Sequence, residues 1–151
     1  MDNELILEDF LPYRLSILSN TVSRGIANVY DRRFGLTIPE WRVMAVLGRF
    51  PGLSAVEVAN RTLMDKVAVS RAVTKLLHHG HLEREFADAD RRRSILNLSE
   101  TGRSVHDEIA PLALKFEADL LLGLSEEDIR TLNVVMERLM ARARLVGSPN
   151  P

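Results

Sequence analysis

The chain contains no cysteine, which excludes disulfide bonds, thiolate catalysis, cysteine-based redox sensing and cysteine-ligated zinc. It has no run of about 18 apolar residues, so no membrane-spanning helix is expected. The N-terminus is acidic and no basic region precedes an apolar run, so a secretory signal is not expected either. The resulting expectation is a cytoplasmic protein with no membrane partner.

Enzyme signatures are also missing from the sequence. It has no P-loop, no HExxH, no GxSxG and no convincing pair of acid and base residues. We therefore expect neither catalysis nor a cofactor. The 151 residues are 46% hydrophobic and 27% charged, which predicts a globular chain, long enough for a small domain plus a dimerisation element.

Charge is distributed unevenly along the chain. The net charge is −1, but the segment from Arg61 to Arg93 has eight basic and five acidic residues and so carries +3. The remainder carries −4. A basic patch on an acidic body is typical of proteins that bind nucleic acid. Arginine outnumbers lysine seventeen to three, which favours bidentate contacts with phosphate and guanine.

Hydrophobic periodicity predicts a mainly α chain with one small β-hairpin. Capping boxes at Thr37, Ser54 and Ser125 mark three helix starts, and Gly35 and Gly80 mark two helix ends. The first helix is predicted over about 9–33, the second ends near 49, and a short third opens at 54. The fourth helix is predicted over 66–79, the fifth over 100–122, and a sixth opens at 125. The two strands are predicted over about 82–86 and 92–98. The sixth helix has a heptad-like seam, formed by Leu132, Met136, Leu139, Ala143 and Val146.

The helix predicted over 66–79 has two chemically different faces at 100° per residue. One face is apolar and contains Val69, Ala72, Val73, Leu76 and Leu77. The opposite face contains Val67, Arg71, Thr74, Lys75 and His78, flanked by Ala68 and Ser70. This second face is small, polar and basic, so it would fit the major groove of DNA, where hydroxyls and a methyl-sized contact can read base edges. The alternative is an ordinary amphipathic surface helix.

Three consecutive arginines, Arg91, Arg92 and Arg93, stand at the tip of the predicted hairpin. A guanidinium in this position can enter the minor groove, where the negative potential is strong. A solvated, charged turn is the competing interpretation, but the capped helices before the hairpin favour DNA.

These features together resemble the winged helix–turn–helix of the multiple-antibiotic-resistance regulator (MarR) family. Asp90 lies six positions after Arg84, and Leu98 lies eight positions after Asp90, as in that family's pattern. The motifs that carry the resemblance are Gly80-His-Leu-Glu-Arg84, Asp90-x-Arg92 and Leu98-Ser99-x-x-Gly102. The family often has threonine where Ser99 stands.

The resemblance implies a ligand-responsive transcriptional regulator, expected to be a repressor, that binds a pseudo-palindromic operator in double-stranded DNA as an obligate homodimer. It implies four segments: an N-terminal dimerisation helix over 1–36, a winged helix–turn–helix over 37–99, C-terminal dimerisation helices over 100–146, and a frayed tail over 147–151. The recognition helix would be 66–79, and the wing, over 86–93, would enter the minor groove.

Site residues carry over by position. Arg92 resembles the arginine of the wing, Arg84 and Asp90 resemble the pair that braces it, and Ser70 and Arg71 stand where recognition-helix residues contact DNA. The full set expected to contact DNA is Lys66, Val67, Ala68, Ser70, Arg71, Thr74, Lys75, Arg91, Arg92 and Arg93.

Two other clusters are weaker candidates for sites. His78, His79 and His81 could hold a metal, but neighbouring helical residues point in different directions, so we expect no metal site and assign them to phosphate binding or plain surface. A small anionic aromatic effector could meet Tyr13, Arg14, Trp41 and Arg42 at a helix junction. The alternatives are core packing for Trp41 and surface or dimer packing for Tyr13 and Arg14.

Two classes of function remain open on the sequence. One is a DNA-binding regulator, and the other is a winged-helix module that dimerises and binds proteins without DNA; a ligand carrier is a third. The arginines at 91–93 favour the regulator, because a wing that no longer binds DNA has no need of them.

Overall fold

A computed structural model describes residues 4–86 and 94–148 of the chain. The predicted mainly α fold with one β-hairpin is confirmed. A short 3₁₀ turn, Leu7–Asp9, precedes the first helix. The elements that follow are α1 (Leu11–Phe34), α2 (Ile38–Arg49), α3 (Ala55–Thr62), α4 (Lys66–His78), β1 (Leu82–Phe86), β2 (Ser94–Leu98), α5 (Glu100–Leu120) and α6 (Glu126–Val146).

Four predicted helix boundaries are wrong by one or two residues. Helix α1 begins at Leu11 rather than at 9, with Pro12 in its first turn and the 3₁₀ turn before it, and it ends at Phe34 rather than at 33. Helix α4 ends at His78, because His79 is already its C-cap. Helix α5 ends at Leu120 rather than at 122. Such ends depend on local capping geometry, which hydrophobic periodicity does not specify.

The helix starts that the sequence marked are formed by side-chain caps. Complete capping boxes join Thr37 to Glu40 at α2 and Ser125 to Asp128 at α6. The hydroxyl of Ser54 accepts a hydrogen bond from the Glu57 amide at 3.2 Å. The carboxylate of Asp65 accepts one from the Ala68 amide, also at 3.2 Å, so the start of α4 is fixed by its own cap.

Two compact units divide the chain, with the boundary after Ala113. The first unit contains the buried core, to which α1 to α5 and both strands contribute. The core residues are Tyr30, Leu36, Val43, Met44, Leu47, Val58, Ala59, Val69, Ala72, Val73, Leu76, Leu82, Leu96 and Ile109. The second unit contains the end of α5 and all of α6, and no described residue in α6 is buried.

The hairpin pairs β1 and β2 in antiparallel register, from Leu82 opposite Leu98 to Phe86 opposite Ser94. A third backbone segment joins at the middle of β2. The amide of Leu96 donates to the Leu53 carbonyl at 2.8 Å, and the amide of Gly52 donates to the Leu96 carbonyl at 3.2 Å. The loop between α2 and α3 therefore anchors the hairpin to the helical core. Within the described ranges, no helix is long and apolar enough to cross a membrane.

Candidate nucleic-acid interface

Helix α4 presents the two faces that the sequence predicted. Val69, Ala72, Val73 and Leu76 are buried in the core, and Leu77 is half-buried. On the other side Lys66, Val67, Ser70, Arg71, Thr74 and Lys75 are exposed, and Ala68 is half-buried. The apolar face thus fixes the helix to the core and leaves a small, basic surface on the outside.

The cations on this outer surface are available to an incoming ligand. Among residues 4–86 and 94–148, no carboxylate forms an ion pair with Lys66, Arg71 or Lys75. The Thr74 hydroxyl is different, because it donates to the Ser70 carbonyl of its own helix at 3.0 Å. Val67 is 54% exposed, so its methyl groups are available for the apolar contact that a thymine methyl offers.

An open groove runs along α4 and reaches the start of α2. It has a volume of about 570 Å³. Helix α4 contributes Arg71, Lys75 and four smaller side chains, and the α2 side contributes Thr37, Pro39 and Glu40. The sequence did not predict that α2 residues belong to this surface. Hydrophobic periodicity identifies the faces of one helix, but it does not identify which other helix packs beside it.

Only part of the predicted wing lies within the described residues. Arg84 is exposed on β1, opposite Leu96 and on the same face of the hairpin as Leu82. Asp90 and the three arginines 91–93 lie outside the described residues, so the brace between Arg84 and Asp90 and the arginine tip stay predictions.

Ser99 explains the Leu-Ser-x-x-Gly motif in physical terms. Its hydroxyl donates to the Gly80 carbonyl at 2.5 Å and accepts from the Gly102 amide at 2.9 Å. Its own amide donates to the His81 carbonyl at 3.0 Å. This one small, buried side chain therefore ties the turn after α4 to the first turn of α5.

The three histidines after α4 form a loose row of rings. The ring centroids of His78 and His79 are 5.6 Å apart, and those of His79 and His81 are 6.4 Å apart. His78 and His79 are exposed, whereas His81 is partly buried. The described part of the chain contains no group of three His, Asp or Glu side chains that could hold a metal ion.

The four residues expected to meet an effector fall into two groups within one chain. Tyr13 and Arg14 line a shallow cavity of about 400 Å³ on α1. Arg42 instead donates to the Ser23 hydroxyl at 3.2 Å, and ten residues of helix separate Ser23 from Tyr13, roughly 15 Å along the axis. The sequence could not show this separation, because α1 is long and Tyr13 and Arg14 lie at its start, far from its junction with α2.

Trp41 belongs to a stack of rings that the sequence did not suggest. Its centroid lies 5.8 Å from that of Tyr30 and 5.7 Å from that of His106. Gly48 makes room for this stack, because a Cβ there would lie 2.5 Å from His106 Nε2. A glycine in the last turn of α2 was the one available signal, since glycine has low helix propensity and so indicates close packing.

Comparisons with known proteins agree with this geometry. Residues 34–93 match the model of the MarR family. The HTH-type transcriptional regulator BilQ from Clostridium symbiosum is 30% identical over 93 residues, a stretch that covers 62% of this chain and 65% of BilQ, so less than two thirds of BilQ's length is matched.

Solved structures extend the likeness to nearly the whole chain. A MarR/EmrR family regulator from an Acinetobacter species has a TM-score of 0.85 and 24% identity, with 93% of this chain and 99% of that chain covered. BpsR from Bordetella bronchiseptica has a TM-score of 0.77 and 18% identity, with 91% and 98% covered. The fold of α1 to α6, the match of residues 34–93 and the similarity to BilQ thus make this chain similar to the MarR family of transcriptional regulators.

Proposed function

We propose that the protein binds a pseudo-palindromic DNA operator as a homodimer and acts there as a repressor. Helix α4 enters the major groove, with Lys66, Val67, Ala68, Ser70, Arg71, Thr74 and Lys75 as the contacting residues. The wing over 86–93 enters the minor groove through Arg91, Arg92 and Arg93, with Arg84 and Asp90 bracing it. The observation that carries this proposal is the outer face of α4, which is small, basic and without ion-pair partners in the described ranges.

The proposed homodimer is supported by apolar side chains that lie exposed on the chain. On α1 these include Leu11, Leu15 and Leu18, and on α6 they include Leu132, Met136 and Leu139. Contiguous apolar surface of this kind marks an interface, because leaving it in water is unfavourable. We assign dimerisation to 1–36 and 100–146, DNA binding to 37–99, and no role to the tail 147–151.

Control by a small anionic aromatic compound is part of the same proposal. The DNA binding of BpsR is regulated by 6-hydroxynicotinic acid, an anionic aromatic molecule. The cavity that contains Tyr13 and Arg14 offers an aromatic ring and a guanidinium, the two groups that such a ligand requires. Trp41 and Arg42 of the same protomer lie elsewhere, so a site with all four residues needs the partner subunit.

The test is a measurement of DNA affinity by fluorescence anisotropy. The DNA is a fragment selected in vitro by the parent protein, and Arg71→Ala is compared with Arg130→Ala, which removes an exposed arginine from α6. We expect Arg71→Ala to weaken binding by about 1–3 kcal/mol and Arg130→Ala to leave it unchanged. Equal DNA affinities of the parent and Arg71→Ala would reject α4 as the recognition helix.

A further inference from the structure

A third, more enclosed cavity lies at the opposite end of α4 from its N-cap. It has a volume of about 290 Å³. Its walls come from three places: the end of α1, the start of α2, and the turn that follows α4. The lining residues are Phe34, Gly35, Leu36, Glu40, His79 and His81. The proposed DNA contacts use none of these side chains.

Glu40 brings a buried negative charge to this cavity. The residue is only 4% exposed, and among the described residues no cation pairs with it. One carboxylate oxygen, Oε2, accepts from the Thr37 amide at 3.2 Å and from the Thr37 hydroxyl. The other oxygen, Oε1, has no hydrogen-bond partner in the described chain. Oε1 is not fully enclosed, since it is absent from the fully buried unpaired side-chain atoms of the described residues, and it can therefore accept a hydrogen bond from a cation that enters the cavity.

His81, which also lines this cavity, has a nitrogen without a hydrogen-bond partner in the described part of the chain. Its Nδ1 is buried and has no hydrogen-bond partner among the described residues. Burial lowers the pKa of His81, the neighbouring His79 lowers it further, and Glu40 opposes both effects. The ring is therefore neutral at neutral pH, and a neutral imidazole has one nitrogen that can accept a hydrogen bond. In the tautomer with the proton on Nε2, Nδ1 is that acceptor, and leaving it buried and unpaired costs free energy that a ligand with an N–H group would recover.

The remaining walls suit the apolar part of a cation. Leu36 is buried, and Phe34 is an aromatic ring. The Arg33 guanidinium lies 5.1 Å from the centroid of Phe34, so one face of this ring already contacts a cation. Gly35 has φ +64°, and a Cβ there would meet no atom within 4 Å, so the loop leaves open space.

We propose that this cavity binds a small primary alkylammonium ion, which donates N–H groups to Glu40 Oε1 and His81 Nδ1 and places its alkyl chain against Phe34 and Leu36. The volume of a water molecule in the liquid is roughly 30 Å³, so an ion of about five heavy atoms fits comfortably. An anion would be repelled by the Glu40 carboxylate. A metal ion would lack a third protein ligand, since the described residues contain no group of three side chains that could hold one.

The position of the cavity connects it with α4. The amides of His79 and His81 donate to the carbonyls of Lys75 and Leu76, both at 2.9 Å, so the cavity wall continues directly into the last turn of that helix. Glu40 also lines the groove on the outer side of α4. A bound ammonium would therefore hold the start of α2 against the end of α4. An effect on DNA affinity rests on the proposed function; the binding site itself does not.

The experiment titrates n-butylammonium chloride into the full-length protein at pH 7.5 and constant ionic strength. Heat is followed by calorimetry and the His81 imidazole by ¹⁵N NMR. We expect saturable binding, a shift of the Nδ1 resonance, and about tenfold weaker binding to Glu40→Gln. This variant keeps an acceptor at the third position of α2, so its capping box can still form. Asp128→Asn makes the same change in the capping box of α6 and should bind as the parent does.

Several results would overturn the proposal. Butyrate or n-butanol, of equal chain length, binding as well as the ammonium would exclude recognition of charge. Unchanged affinity in Glu40→Gln, or tight zinc binding that displaces the ammonium, would exclude the assigned groups. His81→Phe should also lose affinity, and circular dichroism shows whether it folds; if it does not, the Glu40→Gln comparison still decides. If the protein binds the ammonium but no DNA, the proposed function is rejected and this inference is retained. If the protein binds DNA but not the ammonium, this inference alone is rejected.

Discussion

Gly102 lies directly against the backbone carbonyl of His81, so closely that a Cβ on residue 102 would overlap the oxygen. The contact joins the first turn of α5 to the residue that follows the turn after α4. Only glycine permits this approach, because every other residue would force the two backbones apart. The position of the proposed recognition helix relative to α5 is thus set by backbone contact.

Replacing Gly102 by alanine is expected to destabilise the protein by about 1–3 kcal/mol, the usual cost of overpacking. The substitution gains roughly 1 kcal/mol of helix propensity, so a net loss shows that the clash dominates. Urea denaturation measures the free energy of unfolding. Ser104→Ala, at an exposed position of the same helix, is the control and should change little. A Gly102→Ala variant as stable as the parent would mean that α5 is not held against His81.

Removal of the Ser99 hydroxyl should cost about 1–2 kcal/mol, because Ser99→Ala leaves the Gly80 carbonyl and the Gly102 amide without their shared partner. Ser99→Thr keeps the hydroxyl and should restore most of that loss. Thermal unfolding of both variants provides the measurement. If Ser99→Ala and Ser99→Thr lower the unfolding temperature equally, side-chain volume matters at this buried position and the hydrogen bonds do not.

Lys75→Ala should weaken binding to all DNA sequences by a similar factor. In the proposed dimeric complex each protomer's Lys75 neutralises one phosphate, so the substitution should reduce the slope of log affinity against log salt by about 1.8, which is about 0.9 per protomer. Anisotropy titrations at several salt concentrations, on selected and on random DNA, measure both quantities. A loss restricted to the selected sequence would instead make Lys75 a base-reading residue.

Stability should fall on acidification because of His81. Its pKa in the folded chain lies below the ordinary value of 6.5, mainly because of burial. The unfolded chain therefore binds a proton that the folded chain does not, and the free energy of unfolding decreases as the pH falls through 6.5. The loss levels off below the folded-state pKa. His81→Gln should have a flatter stability profile than the exposed-site control His78→Gln, and identical profiles would contradict this assignment.

The seam of α6 should hold the proposed dimer together. Leu139→Glu places a charge on that seam and is expected to yield monomers, whereas Arg138→Glu introduces the same carboxylate beside the seam and should leave the dimer intact. Light scattering coupled to size exclusion gives the mass of each variant. A Leu139→Glu protein that stays dimeric would place the interface elsewhere.

Much of the fold follows from local sequence alone. The caps at Thr37, Ser125 and Asp65 fix helix starts through bonds that span three residues, so nothing distant is needed to predict them. The buried face of α4 is equally local, because a helix repeats every 3.6 residues and Val69, Val73 and Leu76 must therefore share a side.

Other features depend on residues that are distant in the chain. The strand-like pairing of Leu53 with Leu96, the ring stack of Trp41 with His106, and the cavity between Glu40 and His81 each join segments separated by about 40 residues or more. No periodicity encodes such pairs. The sequence by itself determined the helices, the hairpin and the basic face of α4, since these depend on near neighbours. Only the tertiary structure decided which helix ends meet, because close packing selects one arrangement among many that the same local patterns allow.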